Sequence, residues 1–501
     1  MDYFQSEEFD TRVKELMEKF RVPGLSMAAI HGEKTASKQF GVTSIGSGTP
    51  CTVDSLFDIA SSSKVCTAIA VGLLVEDDVR HPNVTFDTPV SKVLPEDFVM
   101  SDPEYTKNVT VDDMLGHRSG LAGHDLSYFG TNSKQTDDAR SVTRNLRNLQ
   151  VCAPIRSKYV YNNIMYTVAT HLVETETKKS FSDFVDERIF KPLEMSSSSV
   201  QPSRSRQRGF GKRISSGHAW SEAESRYREF PPVDSPEAQG AGSIVTSAVD
   251  YLKLVKAFLH QEGPITKQVY ESLTKIRSLP NPSSKDLDPL SSPKFYCAGL
   301  GVVYYRGHAI IGHNGGVPGF GSRFFFVPSL DFGIVMLGNA VEAAYLANAI
   351  EKELVNSAMG SPNTREPNLP KPNTLSTAPT ESKTEDTEPQ KMPLTAYTGH
   401  YWNPGYRGLQ VQIKDEKLFI DASDRSFQSL MVLHHVSGQT KYRAHIQGSD
   451  AWGGMVLVEP VPAEFLFDND RATKIGIQMD ENLSLIWFDR VYEEATPDVL
   501  V

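Results

Sequence analysis

Residues 57–74 read FDIASSSKVCTAIAVGLL. Three serines and a lysine stand at the mouth of a run that is otherwise apolar on every side. A helix that is hydrophobic all round belongs in a protein interior, so the segment after Lys64 is predicted to be a buried central helix. The polar residues at its start have two readings. Serine is a favoured N-cap, because its side-chain oxygen satisfies free N–H groups of the first turn. Alternatively, Ser61 and Lys64 are three residues apart and face the same way on that first turn. A helix N-terminus concentrates positive potential. That potential and burial disfavour a charged lysine and lower its pKa. A neutral lysine amine can then take the proton that serine does not lose at pH 7. Spacing alone does not choose between cap and nucleophile, since the chain also holds Ser272–Lys275 and Ser291–Lys294.

The flanking pattern places this helix in a mixed fold. Upstream, Phe9, Val13, Leu16, Met17 and Phe20 fall near helical spacing. LSMAAIHG and KQFGVTSI then read as a hairpin near residues 25–45. A long, mostly helical middle follows, from about 61 to 260. Strands return at LGVVYYRG, AIIGHNG, SRFFFVPS and FGIVMLGNA, before a last helix, VEAAYLANAIEKELVNSAM. Strands at both ends imply one sheet built from the two ends, with the helical lobe inserted against it. Residues 361–393 are rich in proline, threonine and acids and nearly devoid of large apolar residues. Such a segment buries too little surface to offset its chain entropy and is expected to be an extended linker. Beyond it, LQVQIKDEKLFIDA alternates and turns through Lys414 to Lys417, and MVLVEP, AEFLFDND, TKIGIQMD and LSLIWFD repeat the pattern. Regular short strands with turn signals predict a small sandwich or barrel. The expected domains are therefore 1–360 (α/β part about 1–80 and 240–360, helical lobe about 81–239), linker 361–393 and β domain 394–497.

The chain has 501 residues, 39% hydrophobic and 23% charged, and a net charge of -11 from 51 basic and 62 acidic residues. Nucleic acid and anionic membranes both call for a basic face, so neither is an expected partner. No apolar stretch is long enough for a membrane span. The first twenty residues carry acids early and have no apolar h-region, so they are not read as a signal peptide. Cys51, Cys66, Cys152 and Cys297 are widely spaced without metal-type pairing. Reduced thiols and a cytoplasmic location are expected, with Cys66 a buried, inert thiol.

Two further motifs bear on the serine. SKYVYNNIMY contains Tyr161-Asn162-Asn163. A tyrosine beside a lysine can share its proton traffic, and an asparagine amide can hold a substrate carbonyl. The β domain carries the same spacing at Tyr401-Trp402-Asn403. IIGHNGGVPGFG contains His313-Asn314-Gly315, the one His-x-Gly in the chain, at the end of a predicted strand. Glycines there allow close approach of a substrate, and a free N–H can complete an oxyanion hole. Each motif alone admits a structural role; together they converge on Ser61. Other polar residues carry plainer readings. His117 and His124 have no evident third partner, so neither a metal nor a cofactor is expected. Asp112 and Asp113 read as the first turn of a helix. Arg323 reads as a strand-surface arginine. His434-His435 sits in a predicted strand. Trp402 and Tyr406 read as core or rim residues that would line the cleft if the β domain folds back over it.

With these motifs in hand, the sequence resembles the serine β-lactamase and penicillin-binding-protein superfamily, most closely the class C β-lactamase branch with its esterases, D-aminopeptidases and transesterases. The Ser-x-x-Lys element is a known superfamily signature. VPGLSMAAIHG, SLFDIASSSK, VTVDDMLGHRSGL, FVDERIFKPLEM, QGAGSIVTSAVDYLKL and GHNGGVPGFGSRFFFVPSLDFGIVMLGN extend the resemblance over about residues 10–358. The 394–496 segment resembles the lipocalin-like barrels appended to some members. The resemblance implies an antiparallel sheet flanked by helices with an inserted helical lobe, followed by a small lipocalin-like β-barrel. It implies Ser61 as the acylated nucleophile, with Lys64 and Tyr161 exchanging its proton. Asn163 would position substrate, and the N–H groups of Ser61 and Gly316 would form the oxyanion hole. His313-Asn314-Gly315 departs from the usual Lys-Thr-Gly, and histidine, ordinarily neutral near pH 7, is a weaker carboxylate anchor.

The expected function is a serine hydrolase that cleaves an ester, amide or lactone of a small molecule through a Ser61 acyl-enzyme. An acyltransferase passing the same acyl group to an alcohol or amine is the alternative. A catalytically inactive scaffold is the third reading, against which the joint presence of Ser61, Lys64, Tyr161 and Asn163 argues.

Overall fold

The computed structural model describes residues 1–222, 224–284, 287–288, 290–361, 388–449, 452 and 458–492. Most of the expected linker (362–387), residues 455–457 of the expected strand MVLVEP and residues 493–497 of the β domain lie outside this range.

The central sheet is antiparallel and eight-stranded. Its long strands are β1 (Gly24–His31), β2 (Lys34–Ser44), β3 (Gly301–Tyr305), β4 (His308–Val317), β5 (Phe320–Val327) and β6 (Phe332–Gly338). Two-residue strands Thr49–Pro50 and Phe295–Tyr296 close its edges, and β1 pairs with β6 through Leu25↔Gly338. The two ends of the segment thus share one sheet. Alternation sends Leu25, Met27 and Ala29 into the core on one face and Ala28 and Ile30 into the core on the other. Because helices cover both faces at the middle of the sheet, β1, β5 and β6 are buried along nearly their whole length.

One face packs on α1 (Glu7–Phe20), whose Ser6 side chain accepts from the Phe9 N–H, and on α6 (Ala343–Ala358). The other packs on α2 (Lys64–Glu76) and α4 (Ala248–His260); α3 (Ile164–Thr177) lies against α2, and α5 (Lys267–Thr274) packs on α2 as well. Every residue of α2 from Lys64 to Leu74 is buried, as an all-apolar helix requires. The middle of the chain also holds β elements that its reading as a helical lobe did not include. Phe57–Asp58 and Ser199–Val200 pair with Ile244–Thr246, and Gly217–Ser221 forms a hairpin with Arg226–Phe230. These strands are two to five residues long, too short for a period-2 pattern to stand out.

Residues 399–491 close into an eight-stranded antiparallel barrel in which sequence neighbours pair and Gly399–Asn403 meets Ile486–Val491. Its first tight hairpin carries positive φ at both Asp415 (50°) and Glu416 (59°), the twist a two-residue connection demands. Tyr401, Leu418, Ile420, Tyr442, Phe465, Ile475 and Phe488 fill the interior. Tyr397 contributes as well, its ring 5.0 Å from Phe465. No helix among the described residues is long and apolar enough to cross a membrane, and no group of three metal-ligating side chains occurs among them.

The barrel packs against the loops that precede α3. Gly130 N–H donates to Asp424 O (3.0 Å) and Ser426 N–H to Tyr128 O (3.0 Å). The buried Arg425 guanidinium lies 3.7 Å from the Phe129 ring centre. Tyr406 is buried there too, its hydroxyl 2.8 Å from His124 Nδ1, while Trp402 remains half-exposed.

Candidate active site

Ser61 sits on a 3₁₀ turn (Ala60–Ser63) that runs into α2, so it precedes the α-helix rather than beginning it. The turn is shaped by Ala60, whose φ of +48° is uncommon for a residue with a β-carbon. Asp58 Oδ1 accepts the Ala60 N–H at 2.7 Å and holds the turn in place. Neither neighbouring serine caps the helix. Ser62 Oγ shares a 2.8 Å hydrogen bond with Ser322 Oγ on β5, and Ser63 Oγ accepts from the Ile244 N–H at 3.2 Å. Both serines tie the turn to the surrounding strands, which corrects the reading of the serines at the helix mouth as its cap.

Lys64 is fully buried, with its Nζ 3.0 Å from Ser61 Oγ. Nζ also donates to Asn163 Oδ1 (2.7 Å) and Ala241 O (2.9 Å). Both of those oxygens can only accept. A neutral amine satisfies them with its two hydrogens and leaves its lone pair for the serine hydroxyl. Burial agrees with that state, since it pulls the ammonium pKa down to about 7 against a smaller opposing pull from Asp125. Tyr161 OH donates to Ser61 Oγ at 2.9 Å. Desolvation raises its pKa, so the phenol keeps its proton. Ser61, Lys64, Tyr161 and Asn163 therefore meet in one cluster, although about one hundred residues separate the two motifs. Their decoys do not join it. Ser272 and Lys275 lie at the end of α5, Ser291 and Lys294 in the loop before the edge strand, and Tyr401 to Asn403 in the barrel.

β4 runs beside the serine turn. A Cβ at Gly315 would stand 2.1 Å from Ile59 O and 2.3 Å from Ser322 Oγ. Glycine is required there so that the strand can touch the turn bearing Ser61, rather than to admit a substrate as the sequence reading held. Gly316 follows on the same strand, where a Cβ would meet only Val341 at 3.3 Å. His313 is buried and both ring nitrogens are engaged: Nδ1 with Asn314 O, and Nε2 with Tyr296 OH at 3.1 Å. With the Nδ1 proton given to a carbonyl, Nε2 accepts from the tyrosine. Burial and the nearby Lys64 push its pKa down to about 3. Asn314 points the other way, donating to Asn348 on α6 at 3.2 Å. Arg323 pairs with Glu351 on α6 and brings no free charge.

Several contributors had no signal in the sequence. Asp125 Oδ1 accepts from Asn163 Nδ2 (3.0 Å) and from Tyr128 OH (2.8 Å), fixing the Asn163 amide so that its oxygen faces Lys64. The neighbouring His124 N–H donates to Asp480 Oδ2 of the barrel at 3.1 Å. Ser426, also of the barrel, donates to Glu237, whose loop continues to Ala241, the residue whose carbonyl receives Lys64. The barrel thus supports the walls of the site from two sides. No motif marks Asp125 or Asp480, and QGAGSIVTS does not show that the Ala241 carbonyl faces Lys64, because only the packing of distant loops brings these groups here. Asp112 and Asp113 are helical first-turn residues as read. Thr110 and Asp113 form a capping box, and Asp112 pairs with Arg277 at 2.7 Å.

Residues 9–357 match the β-lactamase family, and residues 383–490 match a domain family of unknown function. An unguisins hydrolase of Aspergillus campestris is 28% identical over 97% of this chain and 92% of its own. A second unguisins hydrolase, from Aspergillus violaceofuscus, is 29% identical over 97% and 90%. Among solved structures, the octameric penicillin-binding-protein homologue of Pyrococcus abyssi superposes with a TM-score of 0.61 at 18% identity, covering 96% of this chain and 99% of that one. A class C β-lactamase of Rhodobacter sphaeroides superposes with a TM-score of 0.53 at 19% identity, over 69% and 100%.

Proposed function

The chain belongs to the β-lactamase family of serine hydrolases and is an enzyme of that class, and from that premise we propose that it hydrolyses an amide or ester of a small molecule through an acyl-enzyme on Ser61. The observation that carries this reading is the pair of contacts on Ser61 Oγ, 3.0 Å from the Lys64 amine and 2.9 Å from the Tyr161 hydroxyl. Neutral Lys64 accepts the Ser61 proton as Oγ attacks the substrate carbonyl. The N–H groups of Ser61 and Gly316 receive the developing oxyanion. Tyr161, a protonated phenol, gives its proton to the leaving nitrogen or oxygen and is reprotonated from Lys64. Asn163, held by Asp125, orients the Lys64 amine through its Oδ1. Water then attacks the ester and releases the acid.

Two features support the choice of substrate class. His313 is neutral and has no hydrogen left to offer a carboxylate, so the acyl part that lies along β4 is uncharged there. The unguisins hydrolases match this chain over 97% of its length, barrel included. That whole-length likeness favours hydrolysis over acyl transfer.

The test is intact mass after exposure to a fluorophosphonate, for the wild type and Ser61→Ala, followed by turnover of p-nitrophenyl esters, amino acid amides and unguisins. A single adduct on the wild type, absent from Ser61→Ala, with release of free acid, is expected. An unlabelled folded wild type without turnover overturns the reading. Ester or amide products formed only with added alcohols or amines would replace hydrolysis by acyl transfer.

A further inference from the structure

His117 is 1% exposed and follows the helix Val111–Leu115 with a left-handed φ of 55°. Both its backbone and its ring hold the segment that carries Tyr161. Its carbonyl accepts the Val160 N–H at 2.8 Å, and its Nδ1 accepts the Asn162 N–H at 3.1 Å. One residue therefore grips the peptide on either side of Tyr161. The imidazole also packs on the phenol, with ring centres 4.4 Å apart. An Nδ1 that accepts a hydrogen bond carries no proton, so the neutral ring carries its hydrogen on Nε2. That Nε2 has no hydrogen-bond partner and is enclosed. Tyr159, Tyr166 and Tyr296 surround the ring at 5.5, 5.2 and 4.6 Å between centres. The charged or titratable groups around it are these tyrosines, Tyr161, Lys64 and His313. No carboxylate among them would stabilise an imidazolium. A second positive charge beside Lys64 would oppose it, and protonation of Nδ1 would release the Asn162 N–H.

We infer that His117, held as the neutral Nε2–H tautomer, is a positioning residue that sets Tyr161 against Ser61. The strained backbone fits this role. A residue with a β-carbon at positive φ is strained and persists where the surroundings over-determine it. The inference rests on the reading of Tyr161 as the proton donor to the leaving group.

Two substitutions separate its parts. His117→Phe keeps a ring beside Tyr161 and loses the acceptor. His117→Asn keeps an acceptor near the Nδ1 position, and asparagine tolerates left-handed backbone. The readouts are the rate of fluorophosphonate labelling of Ser61 and the steady-state kcat and KM. His117→Phe is expected to lower labelling and kcat about 10- to 100-fold with KM within about threefold, as displacement of a reacting group does. His117→Asn is expected to stay within about fivefold of the wild type, because the backbone geometry is restored. Wild-type rates for folded His117→Phe, or equal losses in both variants, overturn the inference. Should His117→Phe not fold, the wild type decides by ¹⁵N imidazole shifts, with His117 identified by its absence from the His117→Asn spectrum. A neutral Nε2–H ring from about pH 5 to 9 is expected, and an Nδ1–H tautomer or a titration within that range overturns it. Failure of Ser61 to label in the wild type overturns the parent reading instead, and leaves the tautomer result to stand or fall alone.

Discussion

Two Ser-x-x-Lys pairs in this chain have the same spacing and opposite fates. Ser61 and Lys64 stand where a helix begins, inside the protein, with Asn163, Ala241 and Tyr161 brought in from other segments. Ser272 and Lys275 stand where α5 ends, at the surface. Ser272 Oγ donates back to Val269 O in its own helix at 2.8 Å, and Lys275 is exposed. The first lysine is stripped of water, which brings its pKa down to about 7 and leaves a large share of its amine uncharged near neutral pH. The second remains solvated. The chemistry of the motif comes from its surroundings, and the spacing only allows two side chains to meet.

The largest expected contrast is between the serines themselves. Ser61→Ala should lower kcat by about 10⁴-fold or more, as removal of a nucleophile does, whereas Ser272→Ala should leave kcat unchanged; equal effects would break the comparison. Lys64→Ala should cost about 10³-fold or more in kcat/KM. In the wild type, the amine must be neutral to act as base. Activity should therefore fall about tenfold per pH unit below an inflection near 7 and level off above it. A flat profile from pH 5 to 8 would remove Lys64 as the base.

Removing Lys64 should move stability the opposite way from activity. The Lys64 pKa is lowered from 10.5 in the free side chain to about 7 in the fold. Between those values the unfolded chain binds more protons than the folded one, so stability rises with pH across that window, and the buried lysine costs most below pH 7. Lys64→Met should therefore raise the melting temperature at pH 6, by a gain on the order of a few kcal/mol, with the difference from the wild type closing toward pH 10. Calorimetry at the two pH values checks this. The smallest effect is expected in the barrel. Asp480→Ala removes one hydrogen bond to the loop bearing Asp125. It should change kcat/KM by about fivefold, the worth of roughly 1 kcal/mol, with little change in the labelling of Ser61.

Much of the fold was legible because it follows from local pattern. The hairpin at β1 and β2, the four strands from Gly301 to Gly338 and the all-apolar α2 each announce their burial through period and composition. The tight turns of the barrel did the same. The short strands at Phe57, Ser199 and Ile244 were not legible, since two or three residues carry no period. In the site, Ser61, Lys64, Tyr161 and Asn163 were readable as candidates from residue type and spacing. Gly315 was readable as a special position, but its reason was not, because Ile59 and Ser322 come from other segments. Asp125 and Asp480 were silent, as a lone carboxylate has no pattern until a fold gives it a neighbour, and the Ala241 stretch did not reveal that its carbonyl receives Lys64.

The sequence by itself determined which segments are apolar, which turns need unusual backbone, and which nucleophile and base candidates exist, because these depend on the residues and their immediate neighbours. The tertiary structure decided which of three Ser-x-x-Lys pairs meets Tyr161 and Asn163, that His313 is neutral with both nitrogens engaged, and that a barrel some three hundred residues downstream supports the walls around Asn163 and Lys64. Protonation states and hydrogen-bond partners depend on what excludes water and what lies within about 3 Å, and those distances exist only once the chain has folded.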